Sequence, residues 1–79
     1  MKLHIATPLE KHTVEIAWLE LNTPGGNFVI QPEHVPMVVT LSPLSEVSYR
    51  LRSGKEEVKK VVGGIAHVER DHITLLITS

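Results

Sequence analysis

The 79-residue chain contains no cysteine, no long apolar run, almost no net charge and none of the compact motifs that mark catalytic or nucleotide sites. Each absence removes a class of protein. Without cysteine there is neither a disulfide framework nor a thiolate zinc site, a composition that suits a reducing compartment. A formal charge of -1 and a pI near 6.5 argue against nucleic acid as the main partner, because phosphate binding needs a basic surface. No apolar stretch approaches the ~20 residues of a helical membrane span, and Met1-Lys2-Leu3-His4 leads into no signal-peptide core. The composition is that of one soluble, intracellular-looking domain over residues 1–79, too short to divide and able to bury only about 60–65% of its unfolded surface.

What is present is a string of short strands. Leu3 and Ile5 alternate with polar neighbours over Lys2 to Thr7, which stops at Pro8. Thr13 to Leu21 is the longest strand candidate. Val14, Ile16 and Trp18 share one face there, and Leu19 and Leu21 then continue on the other. That one-residue slip predicts a bulge, or a strand passing from one packed layer to another. Thr23-Pro24-Gly25-Gly26 is a turn by composition. Phe28 to Ile30 and Val35 to Leu41 are apolar and bounded by prolines. Glu46 to Arg52 alternates most cleanly, with Val47, Tyr49 and Leu51 on one face, the pattern of a half-buried antiparallel strand. Gly63-Gly64 is a further break, before Ile65 to Val68, a polar turn at Glu69-Arg70-Asp71 and a last strand from His72 to Thr78.

The segment after Ser53 carries a competing signal. Ser53-x-x-Glu56 fits a capping box, and Val58, Val61 and Val62 fall at helical spacing. The run is about two turns long, three valines lower its helix propensity, and a glycine pair follows. A strand is therefore predicted, joined to its predecessor by a hairpin at Ser53-Gly54. Strands at 8–12-residue spacing with turns between them predict an all-β fold, a small antiparallel β-sandwich or flattened barrel of about 8–10 short strands. Trp18 is expected in the core, with an interface anchor as the other role tryptophan favours.

Candidate chemistry is sparse. Five histidines raise the question of a metal, yet the pairs close in sequence, His4 with His12 and His67 with His72, form no H-x-H or H-E-x-x-H motif, so no metal site is expected. Glu33 and His34 are read as adjacent in an extended segment and pointing opposite ways, so they do not easily share a substrate as an acid–base pair. No Gly-x-Ser-x-Gly elbow or phosphate-binding Gly-Lys-Ser/Thr loop occurs, so no catalytic residue and no cofactor are expected. The stretch Gly25 to Pro36, GGNFVIQPEHVP, stands out instead. Two prolines four residues apart with His34 between them make a rigid corner suited to docking.

At these residues the chain resembles the N-terminal β-sandwich domain of the epsilon subunit of rotary F-type ATP synthases (the delta subunit of mitochondrial enzymes). The family shows Gly-Glu-x-Gly-Ile-x-Pro-Gly-His-x-Pro-Leu after its glycine turn, where this chain has Gly26-Asn27-Phe28-Val29-Ile30-Gln31-Pro32-Glu33-His34-Val35-Pro36-Met37. The family's later Ser-Gly-Gly-Phe-Leu-Glu-Val is matched by Val62-Gly63-Gly64-Ile65-Ala66-His67-Val68, and its closing Val-Thr-Val-Leu by Ile73-Thr74-Leu75-Leu76. The chain departs from the family at Asn27, in place of glutamate, at Val29 and Glu33, in place of glycines, and at Lys59 and Lys60. Family members continue beyond the position of Ser79 into an α-helical hairpin, so the inhibition and ATP binding associated with that hairpin are not carried over.

The resemblance implies a non-catalytic rotor part that packs on the gamma subunit and rests on the polar loops of the c ring. It sits at the cytoplasmic face of the membrane as a peripheral subunit, without inserting, and helps couple proton or sodium flow to ATP synthesis. By this resemblance Gly26, Asn27 and Phe28 match the ring-facing loop, while Gln31, Glu33 and His34 match the adjoining corner near the ring and gamma. Core packing for Phe28 and a turn-holding backbone hydrogen bond for His34 are the competing roles. Two other readings stand beside it, an epsilon-like adaptor for a different partner and a small histidine-based metal-binding barrel. Edge strands left open in isolation would allow weak self-association.

Overall fold

The computed structural model describes residues 1–78. Eight strands form: β1 (Lys2–Ala6), β2 (Lys11–Thr23), β3 (Gly26–Ile30), β4 (Met37–Thr40), β5 (Ser45–Leu51), β6 (Glu56–Val61), β7 (Gly63–Val68) and β8 (His72–Thr78). They run in the order β4-β7-β8-β1-β2-β5-β6, with β3 also paired to β2. Every pairing is antiparallel except β1 with β8, which is parallel. The all-β expectation holds, and this one parallel seam amends its antiparallel form.

β2 makes the sandwich. Thirteen extended residues would span about 43 Å, yet the longest dimension of the molecule is 27 Å, so the strand has to bend. Its first half, Lys11 to Glu15, pairs with β1, and its second half pairs with β3 and β5. Between them the register with β5 jumps from Ile16↔Leu51 to Trp18↔Arg50. The extra residue, Ala17, is a bulge that turns the strand from one sheet into the other. The phase slip in the sequence had this physical meaning.

The bulge also corrects the reading of Trp18. With one residue inserted, the next inward position after Ile16 is Leu19, so Ile16, Leu19 and Leu21 all enter the core. Trp18 turns to the outer face, paired in register with Arg50 and half-buried there. The core between the sheets is assembled from Leu3, Ile5, Ile16, Leu19, Leu21, Ile30, Leu41, Val47, Tyr49, Val61, Ala66, Val68, Ile73, Leu75 and Ile77. Among the described residues no charged or amide side chain is buried with them.

β6 is a strand, hairpinned to β5 as expected. Leu51 N–H donates to the Lys55 carbonyl at 2.8 Å, and Gly54 takes φ 101 in the turn. Lateral pairing with β5 satisfies backbone groups that a two-turn helix would leave open. The glycine pair Gly63-Gly64 is not a break. It opens β7, and Gly64 lies so close to β8 that a Cβ there would stand 2.5 Å from the Leu76 carbonyl oxygen. The strand expected over Val35 to Leu41 is trimmed to Met37–Thr40, because Pro36 lacks the donor a ladder position needs.

Candidate docking surface

The six residues expected at a partner contact fall into two groups at opposite ends of β3. Gly26, Asn27 and Phe28 sit at its hairpin end, and Gln31, Glu33 and His34 follow its other end, about 17 Å away for five extended residues. All are exposed except His34, which is half-buried.

The hairpin end is held by the side chains of Thr23, Asn22 and Asn27. Pro24 and Gly25 form the loop; Thr23 Oγ1 accepts from Gly25 N–H at 3.2 Å and donates to the Gly26 carbonyl at 2.9 Å. Gly26 takes φ 130, which a side chain would resist. Asn27 Nδ2 donates to Asn22 Oδ1 at 3.0 Å, and Asn22 Nδ2 donates onward to the Glu46 carbonyl at 3.1 Å. This relay explains the amide at position 27: an ionised glutamate has no proton to donate into it. Phe28 lies opposite Leu21 on the inward side of the ladder but remains 37% exposed, so it caps the core's edge rather than filling it.

The corner is a type II turn. His34 N–H donates to the Gln31 carbonyl at 3.2 Å, Pro32 occupies the second position, and Glu33 has φ 68 at the third. That position favours glycine, because a Cβ in the left-handed region crowds its own backbone. Glu33 N–H donates to the Arg70 carbonyl at 2.9 Å, which pins the corner to the β7–β8 turn. His34 Nδ1 lies 2.8 Å from the Val35 carbonyl and donates to it, the turn-holding bond weighed for this residue. The carboxylate of Glu33 has no ion-pair or hydrogen-bond partner among the described residues and points to solvent.

Three features went unread in the sequence. Leu44 repeats the Glu33 geometry behind Pro43, with φ 51, while 82% exposed. It adjoins Val62 in an open groove of about 610 Å³ lined also by Ser45, Glu46, Lys60 and Val61. Its Pro-x cue is the same one that marks Pro32-Glu33. Second, Val38, Ile65 and Leu76 bring exposed apolar side chains together on the outer face of the β4-β7-β8 sheet. Third, the same sheet gathers His4, His67 and His72.

Electrostatics at these surfaces are mild. His67 Nε2 meets Glu69 Oε1 at 2.8 Å, and His72 Nδ1 meets Asp71 Oδ1 at 2.7 Å. The His72 hydrogen bond, helped by a backbone one, holds the Asp71 carboxyl below its ordinary range. Burial, with the Glu57 charge behind it, pushes the Tyr49 phenol up. Among the described residues no group of three or more His, Asp or Glu converges as a metal cage.

The chain is thus a two-sheet β-sandwich with exposed turns, two of which hold non-glycine residues at positive φ. The chain belongs to the family of the ATP synthase delta/epsilon chain β-sandwich domain, whose model matches residues 1–79. It is 33% identical over 78 residues to an ATP synthase epsilon chain of Bacillus licheniformis and 32% identical to that of Bacillus subtilis. In both cases the match covers 96% of this chain and 57% of the relative, so the chain spans little more than half their length. Its fold matches chains in two solved assemblies. One is the central stalk and c ring of Tetrahymena thermophila mitochondrial ATP synthase, with a TM-score of 0.83 at 19% identity, covering all of this chain and 63% of that one. The other is the OSCP/F1/c-ring assembly of the Euglena gracilis enzyme, with a TM-score of 0.84 at 20% identity, covering 95% and 48%.

Proposed function

We propose that this chain is a non-catalytic central-stalk part of an F-type ATP synthase. It acts as one rigid domain that joins the gamma shaft to the polar loops of the c ring and turns with them. The observation that carries the reading is the family match over the whole chain, supported by relatives named as epsilon chains and by neighbours in central-stalk and c-ring assemblies. In this role the sandwich does no chemistry. It couples proton or sodium movement through the membrane to ATP synthesis by transmitting rotation, working as a peripheral subunit at the cytoplasmic face. Torque transmission needs a body that does not shear, and two sheets closed over a dry core with one strand running through both supply it.

The Gly26–Phe28 hairpin and the Gln31–His34 corner are the two contact points, one at each end of β3. The experiment is co-purification of a tagged chain from its native membranes. Gamma and c subunits are expected with it, and their absence sinks the reading. Glu33→Lys is expected to weaken that capture more than Glu56→Lys, which reverses another exposed charge, on edge strand β6; equal effects remove the corner from the interface.

A further inference from the structure

Strand order brings together two histidines from opposite ends of the chain. β1 and β8 are parallel neighbours with Lys2 opposite His72. Alternation then puts His4 and His72 on the same outer face, one diagonal step apart. Their ring centres are 5.8 Å apart with planes at 71°. Each ring is oriented by its Nδ1: His4 Nδ1 lies 2.8 Å from Thr13 Oγ1, and His72 Nδ1 lies 2.7 Å from Asp71 Oδ1. Both Nε2 atoms are left without a partner among the described residues. On His72 the Nδ1 partner is a carboxylate, the arrangement that fixes an imidazole with its Nε2 lone pair outward; on His4 it is the Thr13 hydroxyl.

We propose that His4 and His72 form a two-histidine site for a borderline-soft divalent cation such as Zn²⁺. The spacing fits: two imidazoles sharing one metal about 2.1 Å from each Nε2 place their ring centres about 5–6 Å apart. The pair borders an open hollow of about 440 Å³, which also holds Met1, Lys2, Glu15 and Asp71. The hollow leaves room for water to complete the coordination. With only two protein ligands the site is exchangeable rather than structural, and nitrogen donors select Zn²⁺, Ni²⁺ or Cu²⁺ over Mg²⁺ and Ca²⁺. Bound metal ties the middle of β1 to the start of β8 at the one parallel seam of the sandwich. The inference stands independently of the rotor reading.

The test is titration of the untagged protein with zinc chloride, followed by calorimetry and by the imidazole resonances in NMR. One equivalent is expected to bind, shifting His4 and His72 while leaving His67 and His12 in place, with nickel and copper binding at the same two rings and magnesium at neither. His4→Ala and His72→Ala each abolish the one-to-one event, and His67→Ala leaves it unchanged. Asp71→Asn, which keeps both ligands, weakens affinity about tenfold through loss of the orienting carboxylate. Zinc binding that survives in the His4→Ala/His72→Ala double variant overturns the proposal. So does a wild-type protein whose His4 and His72 resonances ignore millimolar zinc.

Discussion

Glu33→Gly should stabilise the isolated domain, although it removes a side chain and loosens the unfolded chain. Glu33 holds φ 68 at the third position of the Gln31–His34 turn, where a residue with a Cβ is disfavoured by about 1–2 kcal/mol. Glycine removes that strain but adds unfolded-state entropy worth about 0.4–1 kcal/mol. The midpoints of the two ranges, about 1.5 and about 0.7 kcal/mol, leave about 0.8 kcal/mol in favour of glycine, or a rise of roughly 3–6 °C in Tm for a domain this small. Among the described residues nothing else in the fold changes, because the Glu33 carboxylate is exposed and meets no partner there, and its N–H keeps the Arg70 carbonyl. Leu44→Gly tests the same argument at φ 51 behind Pro43. The two turns share no hydrogen bond, so the gains should add. Thermal and urea unfolding of both single variants and the double variant give the answer. A fall in Tm for Glu33→Gly would refute the claim that the position is strained. If stability rises while capture of gamma and c subunits falls, the strained residue is retained for contact rather than for folding.

Three further outcomes follow from the packing. Gly64→Ala should cost about 1–3 kcal/mol of unfolding free energy, because its Cβ meets the Leu76 carbonyl at 2.5 Å and Ile77 Cγ2 at 2.9 Å. Gly63→Ala, which meets nothing within 4 Å, should stay within about 0.5 kcal/mol; equal costs would show that the β7–β8 approach is looser than described. Leu19→Ala should destabilise by about 2–5 kcal/mol as a fully buried core truncation, and half-buried Trp18→Ala by clearly less; the reverse order would return Trp18 to the core. Tyr49 is the sole tyrosine, so alkaline absorbance titration reads it directly. Its phenol should ionise above the usual 10.0, since burial disfavours the phenolate. The linked stability is complete below that value and drains as pH rises through the folded one, a dependence that Tyr49→Phe should flatten. Ionisation at or below pH 10 would contradict the buried placement.

The strand ladder was legible because period-two alternation is a local property. In β5 and β8 the inward set, Val47, Tyr49, Ile73, Leu75 and Ile77, can be read off without any partner strand. The bend in β2 was legible as a slip in phase. Its consequence for Trp18 was not, because which residue a bulge expels depends on the pairing partner, Arg50 on β5. The glycine pair at Gly63 looked like punctuation since glycine relieves both turns and close approaches, and only the proximity of Leu76 separates the two. The strain at Glu33 and Leu44 had a cue in the preceding prolines, but turn type is set by dihedrals that a Pro-x pair permits without dictating.

The sequence alone determined the fold class, the alternating apolar core and the resemblance that led to the family. These are properties of composition and of near neighbours along the chain. Tertiary structure decided which distant residues meet. It set the two parts of the Gly25–Pro36 stretch, the glycine hairpin and the proline corner, at opposite ends of one strand. It also brought His4 beside His72 across a parallel seam, although the two stand at opposite ends of the sequence. Strand order is fixed by how the faces bury together, and no local spacing encodes which strand will lie beside which.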